Sequence, residues 1–176
     1  MLNIFIASDH AGFALKGVLV EYVRGLGYEI EDLGAASFNA DDDYPDFVTP
    51  LAKRIASESG SLGIIIGGSG QGEAMCANRV PGIRAAVFYV IAASTAMVSN
   101  PAASSASAEV ADDSAPGAKS ADIYEIVRLA RQHNNANVLS IGARFVADEV
   151  AREAVRIFLE TTFSEAPRHI RRITKF

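Results

Sequence analysis

The chain has 176 residues, 49% hydrophobic and 21% charged, the composition of an ordinary globular protein with enough apolar surface for one real core. A formal charge of -5 and a pI near 5.2 exclude a global basic field that would hold nucleic acid or an anionic membrane. No apolar run is long enough to span a bilayer, and one cysteine, Cys76, excludes an internal disulfide or a cysteine zinc site.

Cys76 is expected to be a small buried core residue. Met1 leads directly into an apolar run, so no targeting leader is expected and a cytoplasmic location is the default. Short apolar runs then alternate with longer amphipathic stretches, the pattern of βαβ units and a parallel sheet. A first strand is expected at Leu2–Ala7, then a helix from near Phe13. Its apolar stripe is Phe13, Val18, Tyr22, Val23 and Leu26, with Lys16, Glu21 and Arg24 on other faces, and Gly25 and Gly27 stop it. A second strand is expected at Tyr28–Leu33, a helix from Pro45, a third strand at Leu62–Gly67, a helix from near Gly72 and a fourth strand at Arg84–Val90.

From Ala92 to Ala121 the pattern breaks, because 18 of the 30 residues are alanine or serine. Such a stretch has almost nothing to bury against the entropy of ordering it, so it is expected to be a mobile insertion within one domain spanning 1–176. Lengthening a connection from about 5 to about 35 residues costs only about 1.7 kcal/mol in closure entropy. Leaving the C-terminal end of the fourth strand, the segment is placed where a lid would be. A helix from near Asp122, a fifth strand at Val138–Gly142 and a helix over Ala147–Thr162 complete an α/β, three-layer fold with a five-stranded parallel sheet of expected order 2-1-3-4-5.

Two loops carry reactive groups. Asp9-His10 follows the first strand, and Gly68-Ser69-Gly70-Gln71-Gly72-Glu73 follows the third. In such a sheet both open at the crevice where strand order reverses, the place where ligands bind. Gly68, Gly70 and Gly72 put backbone N–H groups around a concavity suited to an anion. A dinucleotide fingerprint does not fit, since its third glycine would fall at Glu73, and no G-K-[ST] follows, so a phosphate-binding P-loop is excluded. A carboxylate beside an anion nest makes sense if the nest stabilises charge that develops during reaction while Glu73 moves a proton. The plain alternative gives Asp9 a capping role and leaves His10 solvated.

His133 and Asn134 precede the fifth strand, at the opposite edge of the sheet. Five residues of strand separate the edges by roughly 17 Å, so His133 would reach a cleft only from a partner subunit. Arg168, His169, Arg171, Arg172 and Lys175 form the dense basic cluster of an otherwise acidic chain. Their spacing on a short helix suits a phosphate clamp, with Arg144 as a companion, and a weak nucleic-acid contact is the disfavoured alternative.

With Ser8-Asp9-His10-Ala11-Gly12, Asp43-Tyr44-Pro45, the Gly67–Val80 stretch, Gly82-Ile83-Arg84, Arg131-Gln132-His133-Asn134-Asn135, Gly142-Ala143-Arg144 and the arginine-rich tail, the chain resembles the ribose-5-phosphate isomerase B family, which also includes galactose-6-phosphate isomerase subunits. The resemblance implies a Rossmann-like homodimer, often paired into a tetramer, that uses no metal or organic cofactor and interconverts aldose and ketose phosphates through a cis-enediolate. In one branch the base is a cysteine at the position of Gly67; in the other it is a glutamate at the position of Glu73, and this chain matches the second. The resemblance further implies that Ser69 to Gly72 stabilise the enediolate, that His133 and Asp9 assist ring opening, and that Asn134 supports the sugar. His10, Arg144, Arg168, His169 and Arg172 would hold the phosphate. Ribose 5-phosphate is the expected substrate, allose or galactose 6-phosphate the runner-up, and a phosphosugar- or nucleotide-sensing module the non-enzymatic alternative.

Overall fold

The structure, a computed structural model, describes residues 2–90 and 122–175. Five strands, β1 (Ile4–Ser8), β2 (Ile30–Asp32), β3 (Leu62–Gly67), β4 (Ala85–Phe88) and β5 (Val138–Gly142), form one sheet with every pairing parallel. The helices among the described residues are α1 (Phe13–Gly25), α2 (Pro45–Ser57), α3 (Gln71–Ala77), α4 (Glu125–Asn134), α5 (Asp148–Glu160) and α6 (Pro167–Ile173). The Ala/Ser-rich stretch expected to be a mobile insertion and lid lies outside the described residues. None of the described helices is long and apolar enough to cross a membrane.

Alternation along the strands sorts the core into two layers. Ile4, Ile6, Ile64, Ile66, Leu139 and Ile141 face α1, α4 and α5, while Phe5, Ala7, Ile65 and Val138 face α2 and α3. Each fully buried aliphatic side chain contributes about 2 kcal/mol of transfer free energy.

The strand order is β2-β1-β3-β5-β4, not the sequential 2-1-3-4-5 expected at the right-hand side. Burial explains the exchange. Every residue of β5 is buried, whereas three of the four in β4 are only partly so, and a strand covered on both faces belongs inside the sheet. β5 accordingly pairs with both β3 and β4, Val138 lying opposite Gly63 on one side and Ala85 on the other. The reversal at β1 and β3 is unaffected, so the crevice stays where it was expected.

The face of α1 also differs from expectation. Its buried residues are Leu15, Lys16, Leu19, Val20 and Val23, while Phe13, Val18, Tyr22 and Leu26 are only partly covered. Lys16 goes under because its ammonium finds partners there: Nζ donates to both carboxylate oxygens of Asp32, at 2.7 and 2.8 Å, and to the Ala35 carbonyl at 2.6 Å. Cys76 is half-buried rather than fully covered, with its sulfur 3.4 Å from the Thr49 hydroxyl.

The Lys16–Asp32 pair is lopsided, its side chains being 4% and 39% exposed. Asp32→Ala strands a buried ammonium and should cost about 3 kcal/mol, whereas Lys16→Met leaves a carboxylate that water can reach and should cost about 1 kcal/mol. Urea unfolding of both variants checks the asymmetry; equal losses would refute it.

Candidate active site

Asp9 and His10 leave the C-terminal end of β1, and the glycine loop leaves that of β3. Asp9 is 6% exposed, and its Oδ1 accepts the backbone N–H groups of Ala11 and Gly12 at 3.0 and 3.3 Å. The carboxylate therefore shapes the entry to α1, although Gly12 is the residue that begins the helix. His10 donates twice to one oxygen of Asp42, from its backbone N–H at 3.0 Å and from Nδ1 at 2.7 Å. The loop after β2 carries Asp42 to this point by extending the ladder along β1: Ser8 N–H bonds to Gly34 O, and Ala35 N–H to Ser8 O.

Asp9, His10 and Asp42 bring ligand-capable atoms within 4.8 Å of one another. The 2.7 Å contact between His10 and Asp42 is that of a charge-assisted hydrogen bond.

The glycine loop is locked from behind. Gly70 begins α3 at φ +75°, a left-handed conformation that favours glycine, and its carbonyl accepts the Ser140 hydroxyl at 2.6 Å. The Gly68 carbonyl accepts the Arg144 N–H at 3.2 Å, and the Arg144 guanidinium lies over Gly68. With these carbonyls tied to the β5 side, the loop is a preformed turn. Ser69 is exposed at its tip, its hydroxyl accepting the Gln71 N–H at 3.3 Å. The Tyr44 ring packs against Gly72.

Glu73 stands in the first turn of α3, only 4% exposed. Burial pushes its carboxyl above the ordinary glutamate value, its own backbone N–H opposes the rise, Asp9 adds to it and Arg144 partly offsets it. The carboxyl lies directly over Gly67. A Cβ on residue 67 would fall 1.7 Å from Glu73 Oε1 and 2.1 Å from its carboxyl carbon. A glycine at 67 is the condition for a buried carboxyl at 73.

The remaining expected site residues gather elsewhere. His133, in the last turn of α4, packs against His169 of α6 with ring centroids 4.2 Å apart and the planes tilted by 42°. His169 is 2% exposed. Arg168 Nε donates to its Nε2 at 3.1 Å, and its Nδ1 lies 2.9 Å from the Ser164 hydroxyl. Burial, with the neighbouring His133, Arg168 and Arg172, pushes this imidazole below its ordinary value. Asn134 ends α4 and is exposed, as is Arg172. His133 and Asn134 precede β5, and the His133–His169 contact brings the last helix to the same place, whereas Arg144 and Glu73 lie past the ends of β5 and β3, so Asp9, His10, Ser69, Glu73 and Arg144 share one edge of the sheet and His133, Asn134, Arg168, His169 and Arg172 the other. Asp42 and Tyr44 were not singled out as site residues; their signal is the run Asp41-Asp42-Asp43-Tyr44-Pro45 immediately before α2.

A three-layer α/β fold with a glycine nest and a buried carboxylate at its switch point defines a small-molecule site. The sequence model of the family described as ribose/galactose isomerase matches residues 4–105 and 116–176. Ribose-5-phosphate isomerase B of Mycolicibacterium paratuberculosis is 36% identical over 172 residues, covering 98% of this chain and 87% of that protein. Its probable counterpart in Mycoplasma genitalium is 38% identical over 174 residues, covering 98% and 92%.

Among solved structures, ribose-5-phosphate isomerase B from Mycoplasma genitalium with bound ribulose-5-phosphate superposes with a TM-score of 0.77 at 35% identity, covering 99% of this chain and 93% of that one. The enzyme from Thermotoga maritima gives 0.76 at 35% identity, covering 99% and 96%. The chain belongs to the ribose/galactose isomerase family.

The raised Glu73 pKa carries a stability consequence. Because the folded value exceeds the unfolded one, its contribution is fully present below about pH 4 and is lost as pH rises through the folded value. Glu73→Gln, which removes that loss, should be more resistant to urea than the natural chain at pH 8 and no more resistant at pH 4. Coincident unfolding curves at pH 8 would contradict the burial argument.

Proposed function

We propose that the chain interconverts D-ribose 5-phosphate and D-ribulose 5-phosphate, with Glu73 as the proton-moving base. The observation that carries this reading is the buried carboxyl of Glu73 over Gly67 beside a preformed glycine loop. The family description spans ribose and galactose isomerases, and the relatives cited above are named for the five-carbon substrate, which favours it over allose or galactose 6-phosphate. A sensing module would have no use for a carboxylate whose pKa is raised toward that of an efficient base.

In this reading Glu73 removes the C2 proton of the open-chain aldose. The electrons move to the carbonyl, giving the cis-enediolate, and Glu73 returns the proton to C1 of the ketose. The O2 proton passes to O1, so that nothing is gained or lost. Backbone N–H groups from Ser69 to Gly72 stabilise the oxyanion, and Asp9 orients a sugar hydroxyl. His10 and Arg144 hold the phosphate from this subunit.

His133, Asn134, Arg168 and Arg172 complete the site from a partner, which makes the active species a homodimer or a tetramer built from it. His169, with both nitrogens engaged, orients Arg168 and supports His133 instead of meeting the phosphate itself. Residues 1–176 serve as one isomerase domain without metal or organic cofactor, and a cytoplasmic setting is part of the proposal.

Glu73→Gln should lower kcat by about a thousandfold. Gly67→Ala, which drives the carboxyl from its place, should cost about a hundredfold. Glu73→Gln and His133→Ala chains, each inactive alone, should on mixing and refolding recover about a quarter of natural activity, since half the dimers are mixed and each of these holds one intact site. No recovery would overturn the shared site; natural activity in Glu73→Gln would overturn the base.

A further inference from the structure

Asp42 stands outside the machinery assigned so far, and its surroundings are unusual. One oxygen, Oδ1, accepts both the backbone N–H and the ring Nδ1–H of His10. The other, Oδ2, is buried without a hydrogen-bond partner among the described residues. Its side chain is only 8% exposed, against 31% for His10. A buried carboxylate with one partner directs its charge at that partner. The chelate also fixes the ring: Nδ1–H is used, so Nε2 is the remaining polar atom of an imidazole that stays accessible at the mouth of the β1 loop.

We propose that Asp42 is the positioning residue of the phosphate site, holding the His10 ring in one orientation and keeping it charged so that Nε2–H can donate to a phosphate dianion. This rests on the phosphate role given to His10 above. Asp42 acts from the loop ahead of α2 and Asp9 from the β1–α1 loop, and these are the charged groups that bear on the ring among the described residues. The hydrogen bond that the ring donates to Asp42 raises the His10 pKa most, burial opposes it, and the charges of Asp9 and Asp42 add to the rise. With the pKa raised, the ring keeps its proton to higher pH than a free imidazole does, toward the range where the phosphate is largely a dianion. Without Asp42 the ring would lose its proton as pH rises and would meet the phosphate as a weaker donor.

The test combines a ring titration with kinetics on the full chain. The imidazole proton resonances of His10, assigned by their loss in His10→Gln, are followed against pH in the natural chain, in Asp42→Asn and in Asp42→Ser, the last keeping a small polar side chain if asparagine perturbs the loop. The His10 midpoint should fall in both variants. KM for ribose 5-phosphate at pH 7.5 should rise about tenfold with kcat changed by less than about twofold, and the KM penalty should shrink toward pH 6. In a His10→Gln background the Asp42 substitution should add nothing further. An unmoved His10 midpoint, or an undiminished Asp42 effect in that background, overturns the proposal. A KM unaffected by His10→Gln itself overturns the phosphate role, and the proposal with it, while the ring titration separately shows whether the ion pair controls the charge.

Discussion

The carboxyl of Glu73 occupies the space where a side chain on residue 67 would begin, and the local architecture follows from that contact. A glycine must end β3, α3 must start within a few residues to hold the carboxyl in place, and the left-handed Gly70 makes the short turn possible. The exclusion also accounts for the two kinds of base the family resemblance implies. A cysteine at position 67 would need the very Cβ that Glu73 forbids, so in this fold a cysteine at 67 and a buried carboxyl at 73 exclude each other. Burial then does chemical work. It raises the carboxyl's pKa at some cost in stability, a form of strain that active sites commonly hold.

A second constraint is topological. All strands run parallel, so groups at strand starts and groups at strand ends lie on opposite edges. Glu73, His10 and Arg144 lie at one edge, while His133, Arg168 and His169 form a cluster of hydrogen-bonded and packed rings and guanidinium at the other. Within that cluster burial lowers the pKa of His169, and a neutral imidazole can accept from Arg168 while its ring packs against His133. Under the proposed shared site the two groups are half-sites, which symmetric pairing would join because each interface repeats the same complementarity.

Much of this was legible in the sequence because it depended on local pattern. The strands β1, β3 and β5 are short apolar runs, the glycine loop sits between a strand and a helix, and His133 lies ahead of a strand, so its edge follows from chain direction alone. The order of β4 and β5 was not legible. Ala85–Phe88 and Val138–Gly142 are both short and apolar, and which becomes the edge depends on what the helices leave uncovered. Lys16 misled for a related reason: a lysine at helical spacing argues for a solvent face until Asp32 and Ala35 are seen to wait beneath it. Asp42 stayed hidden because its partner lies 32 residues away, across a loop whose path no local pattern reveals.

The central claim is that Glu73 moves a carbon-bound proton within a five-carbon sugar phosphate. The most direct measurement follows ribose 5-phosphate in D₂O by proton NMR with the natural chain and with Glu73→Gln. Ribulose 5-phosphate should accumulate with the natural chain, with solvent deuterium appearing at C1 to the extent that the carboxyl exchanges before returning its proton, and with Glu73→Gln ketose should form about a thousandfold more slowly. Ketose formed as fast by Glu73→Gln as by the natural chain would contradict the account.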